Sequence, residues 1–141
     1  GYTFDWKVDG DKAHMRLSYA TTGWLAIGFG QAGTMKDAHI IIGYVKDGKA
    51  TVEDDFGYAP STHAPQAKVG GKSTITEVSG TLEDGVTSLA WTMPLNTGNP
   101  KDIVLTPGDS VSIILARGNA DAKDLSSYHG RGGRLATKVV F

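Results

Sequence analysis

The sequence has no cysteine. Within this chain that excludes disulfides, thiolate zinc sites, cysteine-held iron–sulfur clusters and thiol catalysis. Long apolar runs are missing too. Ile40-Ile41-Ile42 is among the longest, far short of the roughly 20 residues that a membrane-spanning helix needs. Neither charge sign dominates: 14 Lys and Arg stand against 15 Asp and Glu, a formal net charge of -1. That balance excludes a charged disordered tail and gives no bulk electrostatic attraction to nucleic acid. No segment keeps helical spacing for the 10–12 residues or so that a helix requires. There is no Gly-x-Ser-x-Gly elbow, and no helix follows Gly28-Phe29-Gly30, so serine hydrolysis and dinucleotide binding find no support. The chain starts at Gly1-Tyr2-Thr3-Phe4 without Met, a start compatible with removal of an export signal.

What is present is glycine, 19 of 141 residues, spread among β-branched and aromatic residues, and a hydrophobic period of two. Tyr2, Phe4, Trp6 and Val8 alternate with polar residues, as do Met15, Leu17 and Tyr19. Further strands are expected over 24–29, 38–46, 50–56, 73–80, 86–93, 110–117 and 135–141, with Asp47-Gly48 and Asp84-Gly85 as hairpin turns. The nearly all-apolar stretch 38–46 reads as a central strand covered on both faces. About nine short strands predict an all-β fold, an antiparallel β-sandwich of immunoglobulin-like two-sheet architecture. No repeat and no boundary divides residues 1–141, which are expected to form one domain. Long loops are expected over 30–37, 57–71 and 118–133. Such loops cluster at the ends of a sandwich and tend to carry function.

Several residues bear on chemistry. Glu53-Asp54-Asp55 is expected to be a solvated strand end rather than a cation site, and Asp9-x-Asp11 a turn. His14 alternates with Arg16 and belongs on a solvated face. His39 opens a buried run and is expected to be hydrogen-bonded there. His63, between Pro60 and Pro65, is expected to be exposed. Met15 and Met93 fall in strand patterns and belong to the core or a sheet face. His129, in Tyr128-His129-Gly130-Arg131, is either a surface residue or a ligand. Met35 lies in a polar loop with no apolar period. It is either a plug over the sandwich or a thioether donor for a soft metal centre.

Gly23-Trp24-Leu25-Ala26-Ile27-Gly28-Phe29, then Met35, then Ala38-His39-Ile40-Ile41-Ile42-Gly43 resemble the DOMON domain. So do the run from Trp91-Thr92-Met93-Pro94 to Lys101-Asp102 and the later Tyr128-His129-Gly130. The resemblance covers essentially the whole chain, and within that family it is nearest to the haem b cytochrome branch. It implies one non-covalent haem b at one end of the sandwich, with Met35 and His129 as axial ligands. The lack of cysteine agrees, since a Cys-x-x-Cys-His attachment is impossible here. His39 stands where the family usually has an acid, and Met93 where a basic residue is common. Tyr44, Tyr58 and Tyr128 are implied as pocket walls or as phenol partners of the propionates, and Arg131 as a propionate counter-charge. With both axial positions filled, such a centre transfers electrons and is no enzyme by itself. The implied partner is a redox protein, an attached dehydrogenase or a membrane electron-transfer domain, and the implied location is extracytoplasmic. The other readings are a haem-free carbohydrate-binding module using an exposed Trp24 or Trp91, and a ligand-free interaction domain.

Overall fold

The computed structural model describes residues 1–129 and 132–141. Arg131 lies outside the described residues. Ten strands are formed: β1 (Thr3–Asp9), β2 (Lys12–Tyr19), β3 (Leu25–Phe29), β4 (His39–Lys46), β5 (Lys49–Ala59), β6 (Thr62–Pro65), β7 (Thr76–Glu83), β8 (Val86–Pro94), β9 (Ser110–Arg117) and β10 (Arg134–Val140). The only helical piece among the described residues is a 3₁₀ turn, Gln66–Lys68. A four-stranded sheet runs β1-β2-β8-β7 and a six-stranded sheet runs β10-β9-β3-β4-β5-β6. Every pairing is antiparallel. The all-β sandwich expected from the two-residue period is the fold observed.

Side-chain alternation explains how the sheets stack. Met15, Leu17, Leu89, Trp91 and Met93 face inward from the smaller sheet, and Leu25, Ile27, Phe29, Ile41 and Ile113 from the larger. Burying each such side chain contributes roughly 1.5–3 kcal/mol. Both Asp-Gly hairpins form with positive φ at each turn residue: 52° and 76° at Asp47-Gly48, 51° and 75° at Asp84-Gly85. Type I′ turns demand that geometry.

Two expectations need correction. The stretch 57–71 is not one loop: β5 continues to Ala59, and Thr62–Pro65 returns as β6 across a register irregularity at Gly57/Ala59. The strand expected from 73 begins instead at Thr76, because side chains take the preceding amides. Lys72 N–H donates to Asn99 Oδ1 at 3.0 Å and Thr74 N–H to Asp54 Oδ2 at 2.8 Å.

The edge strands are β1, β7, β10 and β6. β1 alternates Asp5, Lys7 and Asp9 on its exposed positions. β10 carries Arg134 and Lys138, β7 has an irregularity between Thr76 and Ser79, and β6 has four residues and ends at Pro65.

Candidate functional site

β3, β4 and β9 are apolar on both faces, and the inner core uses only one of them. On the outer face Trp24, Ala26, Ala38, Ile40 and Ile42 form a second buried cluster, with Met35, Tyr44, Ile114 and Leu125 packed against it. Above it lies a cavity of about 740 Å³, floored by Ala26, Gly28, Ile40, Ile42, Ile114 and Ala116. That volume falls in the range of small-molecule and cofactor sites, roughly 300–1,000 Å³. The cavity therefore sits over the outer face of the larger sheet rather than at the end of the sandwich. The reason is local: loop 30–37 and the segment after Arg117 fold back across the strands instead of projecting beyond them.

Met35 and His129 both line this cavity, and they approach from opposite flanks of the strand order. Met35 is anchored on the β5–β6 side. Its N–H donates to the Pro60 carbonyl at 3.1 Å, and its own carbonyl accepts from Ala38 N–H at 3.0 Å. A Cβ on Gly57 would overlap that carbonyl oxygen, so a glycine is needed there for the Met35 loop to lie down. His129 is on the β9–β10 side, half-buried, with the Tyr128 ring 4.3 Å away.

The segment carrying His129 is tied down at several points. Gly118 N–H donates to the Trp24 carbonyl at 2.8 Å, and Trp24 Nε1–H donates to Ser127 Oγ at 2.9 Å. Lys123 Nζ donates to the Val45 carbonyl at 2.9 Å and also to the Thr22 carbonyl. The Asp124 carboxylate accepts the N–H groups of Ser126 and Ser127 at 2.9 and 2.6 Å. Those backbone bonds hold its carboxyl below the usual range. Beyond His129, the Tyr2 hydroxyl donates to the Gly133 carbonyl at 2.8 Å. Burial, with the Tyr19 phenol adding to it against a smaller Arg117 contribution, pushes the Tyr2 phenol to about 12.

The other residues of interest fall as follows. Tyr128 lines the mouth of the cavity and is 69% exposed. Tyr44 packs on the outer cluster without lining the cavity, and Tyr58 is 54% exposed and away from it. Trp24 and Trp91 are 5% and 2% exposed, so neither offers the sugar-stacking platform that a carbohydrate-binding reading uses.

Asp54 and Asp55 are buried, contrary to the expected solvated strand end. A strand pleat sends neighbours to opposite faces, and both faces of β5 are covered here. Asp54 accepts from His39 Nε2 at 2.8 Å and from the Thr74 amide. Gln66 Nε2 bridges it to Asp102, at 3.3 and 2.9 Å. Thr97 Oγ1 and Asn99 Nδ2 complete the cage on Asp102 at 2.7 and 3.1 Å. Burial alone would raise the Asp54 carboxyl, but the His39 bond and charge and the Thr74 and Gln66 bonds outweigh it and hold the group low. The polar run 96–102 is thus a structural clasp between loops.

Asp55 points outward, to His63. Their Nδ1–Oδ2 separation is 2.5 Å, and His63 lines the cavity. Sequence reasoning missed this pair. The available signal was parity: Asp55 and Gly57 share a face of β5, and His63 pairs opposite Gly57. Among the described residues, no group of three or more His, Asp or Glu side chains is placed to hold a metal ion. None of their helices is long and apolar enough to cross a membrane.

The donor set suits a haem. A thioether and an imidazole on opposite flanks of a largely apolar cavity are soft and borderline donors appropriate to haem iron.

No curated protein matches the chain in sequence. Among the solved structures that resemble it are two cytochrome domains. The cytochrome domain of Myriococcum thermophilum cellobiose dehydrogenase is 14% identical, with a TM-score of 0.69 over 99% of this chain and 74% of that one. The cytochrome b domain of pyranose dehydrogenase from Coprinopsis cinerea is 16% identical, with a TM-score of 0.64 over 98% and 74%. At these identities the likeness establishes a shared fold. The DOMON domain family matches residues 1–118, a span that includes Met35, Tyr44 and Tyr58 and stops before Tyr128 and His129. With most of its length matched, the chain belongs to the DOMON domain family.

Proposed function

We propose that residues 1–141 form a haem b cytochrome domain that relays single electrons, with Met35 and His129 as axial ligands. The observation that carries this reading is that one thioether and one imidazole, far apart in sequence, line the same apolar-floored cavity. A haem b bound there supplies a one-electron iron couple. The floor from Ala26 to Ala116 excludes water and raises the electrostatic weight of every nearby charge. The Met35 sulfur, the weaker and softer donor, favours the reduced state, and the His129 imidazole fixes the other side. With Met35 and His129 both bound to the iron, no position would remain for oxygen or substrate, and the domain would exchange electrons without catalysing bond chemistry. Tyr128, at the mouth, would donate its phenol to a propionate, and Arg131 would pair with a propionate charge; Tyr44 and Tyr58, which do not line the cavity, are not part of this reading. The domain serves a redox partner, an attached dehydrogenase or a membrane electron-transfer domain, outside the cytoplasm.

Oxidised and dithionite-reduced absorption spectra of the purified chain test this directly. The expected result is a low-spin Soret band with one haem per chain that acid–acetone extracts fully. His129→Ala should become five-coordinate or lose haem, while His14→Ala keeps the native spectrum. A colourless protein that takes up no added haem refutes the reading. An unchanged low-spin spectrum in His129→Ala removes His129 as the ligand.

A further inference from the structure

Three acids follow one another on β5, and the pleat divides them. Asp54 joins the closed inner cage, whereas Glu53 and Asp55 stand opposite Ile42 and Ile40, the strand positions that floor the cavity. Asp55 is 1% exposed. One of its oxygens is bound to His63 Nδ1 at 2.5 Å, and the other, Oδ1, is buried with no donor assigned to it. An orphaned buried carboxylate oxygen is costly, and the group beside it that can satisfy it is the Glu53 carboxyl, provided Glu53 carries a proton. Desolvation first, then the hydrogen bond and charge of Asp55, raise Glu53 to about 7, against smaller opposing contributions from His63 and Lys68. The charged groups acting on Glu53 are therefore Asp55 on its own strand, His63 on β6 and Lys68 in the 3₁₀ turn; β4 presents only isoleucines opposite the two acids. His63, 17% exposed at its side chain, carries the chain of groups to the cavity wall.

We propose that Glu53, Asp55 and His63 form a proton-holding chain from the half-exposed rim of β5 to the cavity wall, and that it takes up one proton when the cavity's occupant gains one electron. The inference rests on the haem reading above. With a haem b held by Met35 and His129, an electron from a one-electron donor would lower the positive charge in the cavity by one. The proton comes from solvent and forms an O–H bond on the Glu53 carboxylate, shared with Asp55 Oδ1. No bond to the metal forms or breaks, and oxidation returns both particles. His63, fixed by Asp55, is the positioning residue that brings the proton's charge to the cavity edge. The same logic makes a carboxylate behind a metal-bound imidazole tune that imidazole, with the cavity charge here acting through space.

The test is spectroelectrochemical titration of the haem-loaded chain between pH 5 and 9. The reduced state should hold the proton about tenfold more tightly, so the midpoint potential should be about 59 mV higher at the acid end. Glu53→Gln should remove most of this dependence, and His63→Gln should weaken it, whereas His14→Gln should retain it in full. Infrared difference spectra of the haem-free chain should show a protonated carboxyl band that titrates near neutrality and disappears in Glu53→Gln. A wild type that takes up no haem overturns the cytochrome reading, and the electron-linked step with it. Haem uptake with a potential flat in pH, or a full dependence persisting in Glu53→Gln, overturns this proposal alone. Absence of the carboxyl band overturns the shared proton itself.

Discussion

Asp54 and Asp55 are adjacent in the chain, and each holds a histidine, yet they belong to different worlds. Asp54 and His39 are on the inner face of the larger sheet, both closed to solvent; Thr74 and Gln66 fill the remaining sites on the Asp54 carboxylate, while His39 Nδ1 has no hydrogen-bond partner, the nearest Asp102 oxygen lying 3.9 Å away. Asp55 and His63 are on the outer face, at the wall of the cavity, with one carboxylate oxygen left over. The inner pair is what a fold does with buried charge when rigidity is needed. The outer pair leaves a carboxylate oxygen unpaired beside a cavity, whereas in the inner pair both Asp54 oxygens are satisfied and the orphan is a ring nitrogen closed to solvent. The difference lies in where the unpaired atom stands: against a space on the outer face, inside packed protein on the inner one.

Breaking the inner pair should have the largest effect. Asp54→Ala strands His39, Gln66 and Thr74, and removing one member of a buried pair costs about 3–5 kcal/mol. Asp55→Ala removes the hydrogen-bond partner of a half-buried histidine at the cavity wall, and should cost about 1–2 kcal/mol. Urea unfolding of the two variants measures the contrast, and equal losses would erase the distinction between the faces.

The outer face should respond in potential instead. Met35→His replaces a soft donor by imidazole and should lower the midpoint by on the order of 100 mV, within the roughly 0.8 V span that axial ligands command. Its urea midpoint should stay close to that of the wild type. An unchanged potential and spectrum would mean that Met35 does not touch the iron.

A smaller effect is expected within the outer cluster. Trp24→Phe keeps the buried ring but loses the bond to Ser127, worth about 1 kcal/mol. Amide exchange in residues 119–129 should accelerate, and Ser127→Ala should do the same. The double variant should add little to either single change, because both delete one interaction.

The subtlest contrast is in pH. The Asp54 carboxyl is held below its ordinary value, so its contribution is present above the unfolded pKa and lost as pH falls through the folded one. Glu53 is raised from 4.5 to about 7, so its contribution has the opposite sign. It is complete below about 4.5 and fades as pH rises through about 7. Asp54→Asn should therefore flatten the acid limb of the stability profile. Glu53→Gln should gain gradually on wild type between about pH 4.5 and 7 and keep that gain above, and the gain should be slight because much of the charge is solvent-screened.

Much of the sandwich was legible in the sequence because a pleated strand writes its burial at every second residue. Met15, Leu17, Trp91 and Met93 announced the inner face in this way. Met35 stood out because an apolar residue in a polar loop has no strand period to explain it. The outer cavity was harder to foresee. Residues 38–46 read as covered on both faces, but apolar composition does not distinguish a second layer of protein from a wall around a space. The burial of Asp54 and Asp55 was illegible for a related reason. Their partners His39, Gln66, Thr74 and His63 lie 8 to 20 positions away in sequence, and no local pattern encodes such meetings. β6 was hidden by Pro60 and Pro65, which read as loop punctuation although they bracket a four-residue edge strand.

Those borders of the sheets have a consequence for the company the molecule keeps. A strand whose outer amides and carbonyls are free is a template for another chain, and long flat examples seed ribbon-like aggregates. Here β6 is short and ends in Pro65, β7 is irregular, and β1 and β10 carry charges along their length. On the proposed reading, a redox partner would recognise this protein through side chains around the cavity mouth, such as Tyr128 and Leu135, rather than by adding a strand of its own. Contacts of that kind form and dissolve without rebuilding a backbone ladder, which would suit the proposed electron carrier.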